Sequence, residues 1–330
     1  MKPVFSRRRF ITISAGAAVA AMTPGGTFAD SPPPAVRWYG TALGAEAELI
    51  LVHSDKKKAE FALLMVQKEV RRLEKIFSLY DGLSHICAFN RNGFLDHPPF
   101  DLLRCLDEAR RISQITNGAF DITVQPLWNL YTRHFAMFPD GKTLPSPDQL
   151  VAARKKIDFT AVRIETRRLS FSRPGMAITM NGIAQGYITD RVADLLHDQG
   201  FENVLIDLGE IAARGHRSDG SAWQIGVRTP DQPDNILCKL PLRDRAIATS
   251  GGYGTRFTRD GRQHHLFNPK TGLSSQLWKS VSVIASNAAM ADGLSTAFSS
   301  LPEPEIRTIA AATDVAVITV DDTGTRRINF

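Results

Sequence analysis

Residues 180–208 read MNGIAQGYITDRVADLLHDQGFENVLIDL, and this stretch decides the fold. Met180 to Tyr187 is a glycine-rich bend. After Gly186, Ile188, Val192, Leu195 and Leu196 recur at the spacing of one helix face, and Gly200 is a natural stop. Val204 to Leu208 is then too short and too uniformly apolar for anything but a buried strand. The same alternation extends in both directions. Glu46 to Val52 predicts a strand, and Leu63, Val66, Val70, Leu73 and Phe77 mark one face of a long helix. A second helix is expected over Asp101 to Ile115, and three prolines and a glycine make Phe138 to Pro147 a loop. Val281 to Ala285 and Val315 to Val320 are further buried strands. Helices and strands alternate without a regular βαβ period, which predicts an α+β fold rather than a doubly wound sheet. No internal repeat or coiled coil is present.

Before all this lies Ser6-Arg7-Arg8-Arg9-Phe10-Ile11, a twin-arginine export motif. The weakly apolar run from Ile11 to Met22 is far short of the roughly 20 residues that span a bilayer. Thr27-Phe28-Ala29 offers small residues at both positions a signal peptidase reads, so residues 1–29 are expected to be a cleaved leader. Residues 30–35 then form a Pro-rich tether, and residues 36–330 are the folded part, long enough for one large domain or two intimate ones. The expected address is the periplasm, with no stable membrane insertion after cleavage. The chain carries +6 overall, but four of its 40 basic residues (Lys2, Arg7, Arg8, Arg9) lie in the leader. The remaining 36 against 34 acidic leave +2, which gives no reason to expect nucleic acid or a membrane surface as partner. Cys87, Cys105 and Cys238 form no Cys-x-x-Cys or Cys/His cluster, so zinc and thiol redox chemistry drop out. Cys105 falls on the apolar face of its helix and reads as a buried structural thiol.

Chemistry-bearing residues concentrate in six segments: Phe77–Asp81, Gly118–Trp128, Met180–Tyr187, Ala248–Tyr253, His265–Gly272 and Ala291–Thr296. Singly, each has a structural reading. Asn268-Pro269-x-x-Gly272 forms a turn, Thr296 bonds back to the carbonyl one turn earlier, and His265 is a satisfied interior histidine. Together they suggest more. Asp292 and Thr296 are four apart and share a helix face. With carbonyls from a glycine-rich bend they make an all-oxygen site, suited to Mg²⁺ or Ca²⁺ rather than zinc. Mg²⁺ held by few protein oxygens completes its shell with water and substrate phosphates, so a phosphate-bearing ligand is implied. Glycine amides can cradle phosphates, and Tyr80, Phe120 and Tyr253 can face a planar ring. Neither the dinucleotide fingerprint nor the Walker lysine loop is present.

In order and spacing these segments resemble the ApbE family, the FAD:protein FMN transferases. The resemblance runs from Tyr39-Gly40-Thr41 to the last strand. It implies a two-lobed α+β fold with FAD in the cleft, Mg²⁺-dependent cleavage of the FAD pyrophosphate, transfer of FMN to a Thr or Ser hydroxyl of a partner flavoprotein, and release of AMP. By motif, Tyr39, Tyr80, Ala119, Phe120, Asp121, Thr179, Gln185 and His264 fall on cofactor-binding positions. Gly182, Asp292 and Thr296 fall on metal-binding positions, and His265 on the histidine beside the reacting phosphates, the candidate base. The chain departs from the family where Thr179, Gln185 and Asn268 replace charged residues and Gln125 replaces a common glycine. Two other readings fit the resemblance: an FAD pyrophosphatase giving FMN and AMP, and a non-catalytic flavin-binding accessory protein of a redox complex. The family's acceptors imply a periplasm-facing membrane electron-transfer complex. The twin-arginine leader also resembles that of accessory members linked to nitrous-oxide reduction.

Overall fold

The computed structural model describes residues 11–13, 34–42 and 45–330. The Arg7-Arg8 motif and the Ala29 cleavage position lie outside the described residues.

The centre of the molecule is an eight-stranded sheet. Its order across the sheet is Thr325–Ile328, Ala316–Val320, Ser280–Ala285, Arg245–Gly251, Ile211–Arg214, Val204–Asp207, Ala45–Val52 and Ala35–Ala42. Every neighbouring pair is antiparallel, so the expected α+β class holds and a doubly wound sheet is excluded. The strands read as continuous apolar runs because both faces are covered. Leu49, Leu51, Val204 and Ile206 face a core shared with the helices. Ile50, Val52, Leu205 and Ile211 face Trp223, Ile225, Leu240 and Leu242. Those last four belong to a hairpin of Trp223–Thr229 and Gln232–Leu242 that lies over the second face.

The helix Lys56–Phe77 begins where the Asp55 carboxylate accepts the Lys58 N–H at 3.0 Å. It buries Leu63, Val66, Val70, Leu73 and Phe77 as its periodicity requires, each contributing roughly 1.5–3 kcal/mol of burial. Phe100–Ile115 is the second expected helix, and Cys105 is fully buried in it. Residues 138–146 are loop, followed by a helix Pro147–Arg154 that Ser146 and Gln149 start with a reciprocal capping box. A third, smaller core gathers Leu127, Tyr131, Phe135, Ala153 and Phe267 around the helices Gln125–Met137 and Pro147–Arg154, and the Tyr131 hydroxyl donates to the Gly272 carbonyl at 3.1 Å. Among the described residues no helix is long and apolar enough to cross a membrane.

One expected boundary is off by three residues. The helix after the glycine bend starts at Ala184 rather than beyond Gly186, and runs to Asp198. Gly186 is in its first turn because a side chain there would collide with a neighbouring helix, Ala288–Phe298. Gly200 does end the segment, at a positive φ of 80°.

Candidate active site

Two helices crossing at close range set the geometry. Ala288–Phe298 is buried almost all round, and it presents Asp292 and Thr296 to a cleft. Its N-terminus is held from outside its own sequence. The carboxylate of Asp190, on Ala184–Asp198, accepts the N–H groups of Ala288 at 2.7 Å and Ala289 at 2.8 Å, while the Asn287 side chain accepts that of Met290 at 2.8 Å. The first-turn amides that no helix can satisfy itself are thereby matched. Gly186 packs on the same point: a Cβ there would sit 2.2 Å from the Ala288 carbonyl oxygen. The Gly186 N–H then donates to Asp292 Oδ2 at 3.2 Å.

Asp190 carries a testable consequence. Burial pushes its carboxyl up to about 6, against the pull of the two amides. With the folded pKa raised above the unfolded one, its contribution to stability is full below pH 4 and is lost as pH rises through 6. Asp190→Ala is expected to cost about 2–3 kcal/mol at pH 7, from two unmatched amides and a small void. The penalty grows by about 1 kcal/mol between pH 7 and pH 5. Urea unfolding of both proteins at the two pH values checks the size and the sign.

The glycine bend faces Asp292 and Thr296. Thr179 N–H donates to the Ile122 carbonyl at 2.8 Å, and its Oγ1 accepts the Asn181 N–H at 3.2 Å. Asn90 clamps the approach, donating to the Ile178 carbonyl at 2.8 Å and accepting the Ile178 N–H at 2.7 Å. Gly182 lies so close to Thr296 that a Cβ would be 2.9 Å from its Oγ1, with Phe120 at 3.3 Å on the other side. Gln185 reaches away from the bend, its Nε2 3.4 Å from the Leu208 carbonyl and lying over Gly209, whose φ is 104°. On the opposite wall, Ser250 Oγ is 2.7 Å from Ser295 Oγ and 3.4 Å from Thr296 Oγ1.

His265 closes a third side. Its Nδ1 is 3.2 Å from the Thr255 carbonyl, and its own N–H donates to the same oxygen at 3.1 Å. A carbonyl only accepts, so this contact places the proton on Nδ1 and the lone pair on Nε2. Gly254 packs against the ring edge, where a Cβ would stand 3.1 Å from Cε1. Tyr80, 62% exposed, stands at the lip just beyond the end of Lys56–Phe77. Its N–H and that of Asp81 donate to Ser78 Oγ, each at 3.2 Å.

Of the twelve residues that the resemblance assigns to the site, Tyr80, Thr179, Gly182, Gln185, His265, Asp292 and Thr296 line this one cleft, together with Gln125 and Tyr253. The other five do not. Tyr39 is exposed on the edge strand, opposite Glu48. Ala119 and Phe120 are buried, Phe120 beneath Gly182. Asp121 is buried and turned to its own chain: one oxygen accepts from Thr123 N–H at 2.8 Å and Thr123 Oγ1 at 2.5 Å, the other from Phe159 N–H at 3.1 Å. Burial raises its carboxyl to about 6. His264 is also buried, with Nε2 2.7 Å from the Ser275 carbonyl and Nδ1 accepting the Leu266 N–H at 3.3 Å. Burial lowers its pKa, so it is a neutral, fully engaged core histidine. Asn268, a departure from the family, accepts the N–H groups of Lys270 and Thr271 at 2.9 and 3.2 Å and so builds its turn.

Sequence reasoning passed over one wall of the cleft, Glu46, Asp207 and Glu210 with Gly209 between the last two. Asp207 faces Glu48 directly across the strands. The available signal was polar residues ending the apolar runs of Glu46–Val52 and Val204–Leu208.

Fold and site together define a class: an antiparallel α+β protein with an oxygen-lined cleft fed by a glycine bend, two hydroxyl-rich segments and a histidine. The ApbE family model matches residues 43–319, and the chain belongs to that family. It is 32% identical over 268 residues to the FAD:protein FMN transferase of Vibrio cholerae, covering 77% of this chain and 79% of that protein. It is 30% identical to the one from Haemophilus influenzae, covering 73% and 72%. Among solved structures it is similar to the flavin transferase ApbE from Vibrio cholerae (TM-score 0.75, 26% identity, 89% of this chain and 97% of that one). The apo flavinyl transferase ApbE from Pseudomonas stutzeri superposes with a TM-score of 0.77 at 27% identity, covering 89% and 95%.

Proposed function

We propose that the chain is an FAD:protein FMN transferase. It moves the FMN half of FAD onto a Thr or Ser hydroxyl of an acceptor flavoprotein and releases AMP. The observation that carries this reading is the convergence of Gly182, His265, Asp292, Thr296 and Tyr80, from four separate segments, on one cleft.

The residues fit Mg²⁺. Asp292 offers a buried carboxylate, Thr296 a hydroxyl beside it, and the close approach of Gly182 leaves the bend against Thr296 with no side chain between them. Among the described residues no three His, Cys, Asp or Glu side chains cluster to make a metal site of another kind. Such a sparse oxygen set suits an ion that shares its shell with phosphate. The chemistry a bound Mg²⁺ supplies is neutralisation of charge on the pyrophosphate oxygens.

The protein groups do the rest. The acceptor hydroxyl attacks the phosphorus on the riboflavin side, a new ester bond forms, and the bond to the bridging oxygen breaks, leaving AMP. His265 Nε2 takes the hydroxyl proton, with Nδ1 held on the Thr255 carbonyl so that the ring presents the correct tautomer. Tyr80 at the lip limits water at the flavin end and favours a protein hydroxyl as nucleophile. The Arg7-Arg8 leader supports an acceptor in the periplasm, in a membrane electron-transfer complex.

Incubation with FAD, Mg²⁺ and acceptor flavoproteins tests the reading. Covalent flavin with one AMP per flavin is the expected result, and free FMN with no covalent product would replace transfer by hydrolysis. His265→Ala is expected to slow transfer about 10²- to 10⁴-fold with little change in FAD affinity. A variant as fast as wild type would remove the base.

A further inference from the structure

The lobe beside the cleft holds a charge that the rest of the chain lacks. From Gln125 to Gly175 there are nine basic residues and four acidic ones, against a near balance over the chain beyond the leader. Arg154 and Lys155 of that stretch, joined by Lys270, wall a groove that Val151 and Pro269 also line. Arg154, Lys155 and Lys270 are exposed, and among the described residues none of the three enters an ion pair. The groove's own acids are already engaged. Asp121 is turned to Thr123 and Phe159, and Asp158 is held by Thr160 Oγ1 at 2.5 Å and by Arg173.

The groove shares no residue with the cleft, yet one loop serves both. His265, Leu266 and Phe267 line the cleft, while Pro269 and Lys270 line the groove. Lys270 is five positions beyond His265, so at most about 17 Å of chain joins the two places. The loop is fixed at both ends, by the Asn268 turn and by Gly272, against which the stem of Arg154 packs.

We propose that this groove docks an acidic segment of the acceptor protein, holding it while the target hydroxyl enters the cleft. The proposal rests on the transferase reading for the identity of the partner, and on the groove alone for its chemistry. Uncompensated cations steer an oppositely charged partner and set its register. Val151, 45% exposed in the same groove, gives the segment's apolar side chains a seat that a headgroup or a free phosphate would not use.

The test uses the intact protein and a fluorescein-labelled ten-residue peptide of Asp and Val around one Thr, with an Asn-for-Asp peptide as control. Fluorescence anisotropy is expected to show the acidic peptide binding at low salt and the neutral one at least tenfold more weakly. Lys155→Glu/Lys270→Glu should raise the Kd of the acidic peptide at least tenfold and leave FAD binding, read by flavin fluorescence, unchanged. Equal binding of both peptides, no binding, or an unchanged Kd in the double variant overturns the proposal. So does variant-sensitive binding to phosphatidylglycerol vesicles that exceeds peptide binding, since the surface would then be a lipid site. A protein that binds the peptide as expected but transfers no FMN defeats the transferase reading and leaves the docking groove standing.

Discussion

Asp292→Ala is expected to lower kcat/KM for FMN transfer about a thousandfold or more, corresponding to about 4 kcal/mol of lost transition-state stabilisation. The carboxylate is 5% exposed and lies one helical turn from Thr296, on the face turned to the glycine bend. It is the full negative charge on the helix face that the cleft presents for a divalent ion. Removing it also strips the Gly186 N–H of an acceptor at 3.2 Å, so the alanine variant alone would mix two effects. Asp292→Asn separates them. The amide oxygen still accepts from Gly186, the fold should persist, and the charge is gone. The asparagine variant is therefore expected to melt within a few degrees of wild type while losing nearly as much activity. A second reading avoids turnover altogether. Mg²⁺ should raise the Tm of the wild-type protein in a concentration-dependent way and leave that of Asp292→Asn unmoved. Equal Mg²⁺ shifts in the two proteins would place the ion elsewhere.

The parts of the molecule legible from sequence are those in which one physical rule acts alone. Leu63, Val66, Val70, Leu73 and Phe77 give their helix away because nothing competes with the 3.6-residue period. Leu49 to Val52 is a strand by its unbroken apolar run, and the run is unbroken because helices lie on one face and a hairpin on the other. That hairpin was not legible. Trp223, Ile225 and Val227 alternate properly, but the returning strand shifts register between Gln232 and Cys238, which blurs its period. The site divides in the same way. Asp292 and Thr296 are set by helical spacing, and local order brings them to the cleft. Asp121 and His264 have the chemistry of site residues, but their neighbours in the fold absorb it, Thr123 and Phe159 in one case, Ser275 and Leu266 in the other. Asn90, 88 residues from the bend it clamps, has no local signal at all. Contacts of that separation follow from the fold and not from any pattern along the chain.

Gly186→Ala is expected to be the most damaging single methyl in the protein. The added Cβ would stand 2.2 Å from the Ala288 oxygen, 2.6 Å from the Ala288 carbon and 2.8 Å from the Ala289 Cα. All three atoms are backbone, so no side-chain rotation relieves the clash, and the two helices must separate. Overpacking of a core typically costs 1–3 kcal/mol, and a collision with backbone lies at or beyond about 3 kcal/mol. The shift falls on the contacts that aim the site. Asp190 reaches Ala288 and Ala289 across this interface, and the Gly186 amide reaches Asp292. A displacement of 1 Å at a positioned group is worth about 10²-fold in rate, so the folded fraction of the variant should also be slow. Gly82 is the proper control, since a Cβ there meets nothing within 4 Å. Urea unfolding and FAD turnover of Gly186→Ala and Gly82→Ala decide the matter together. Loss of both stability and rate in the first and neither in the second is the expected pattern. A Gly186→Ala protein as stable and as fast as wild type would mean that the helix crossing does not position Asp292.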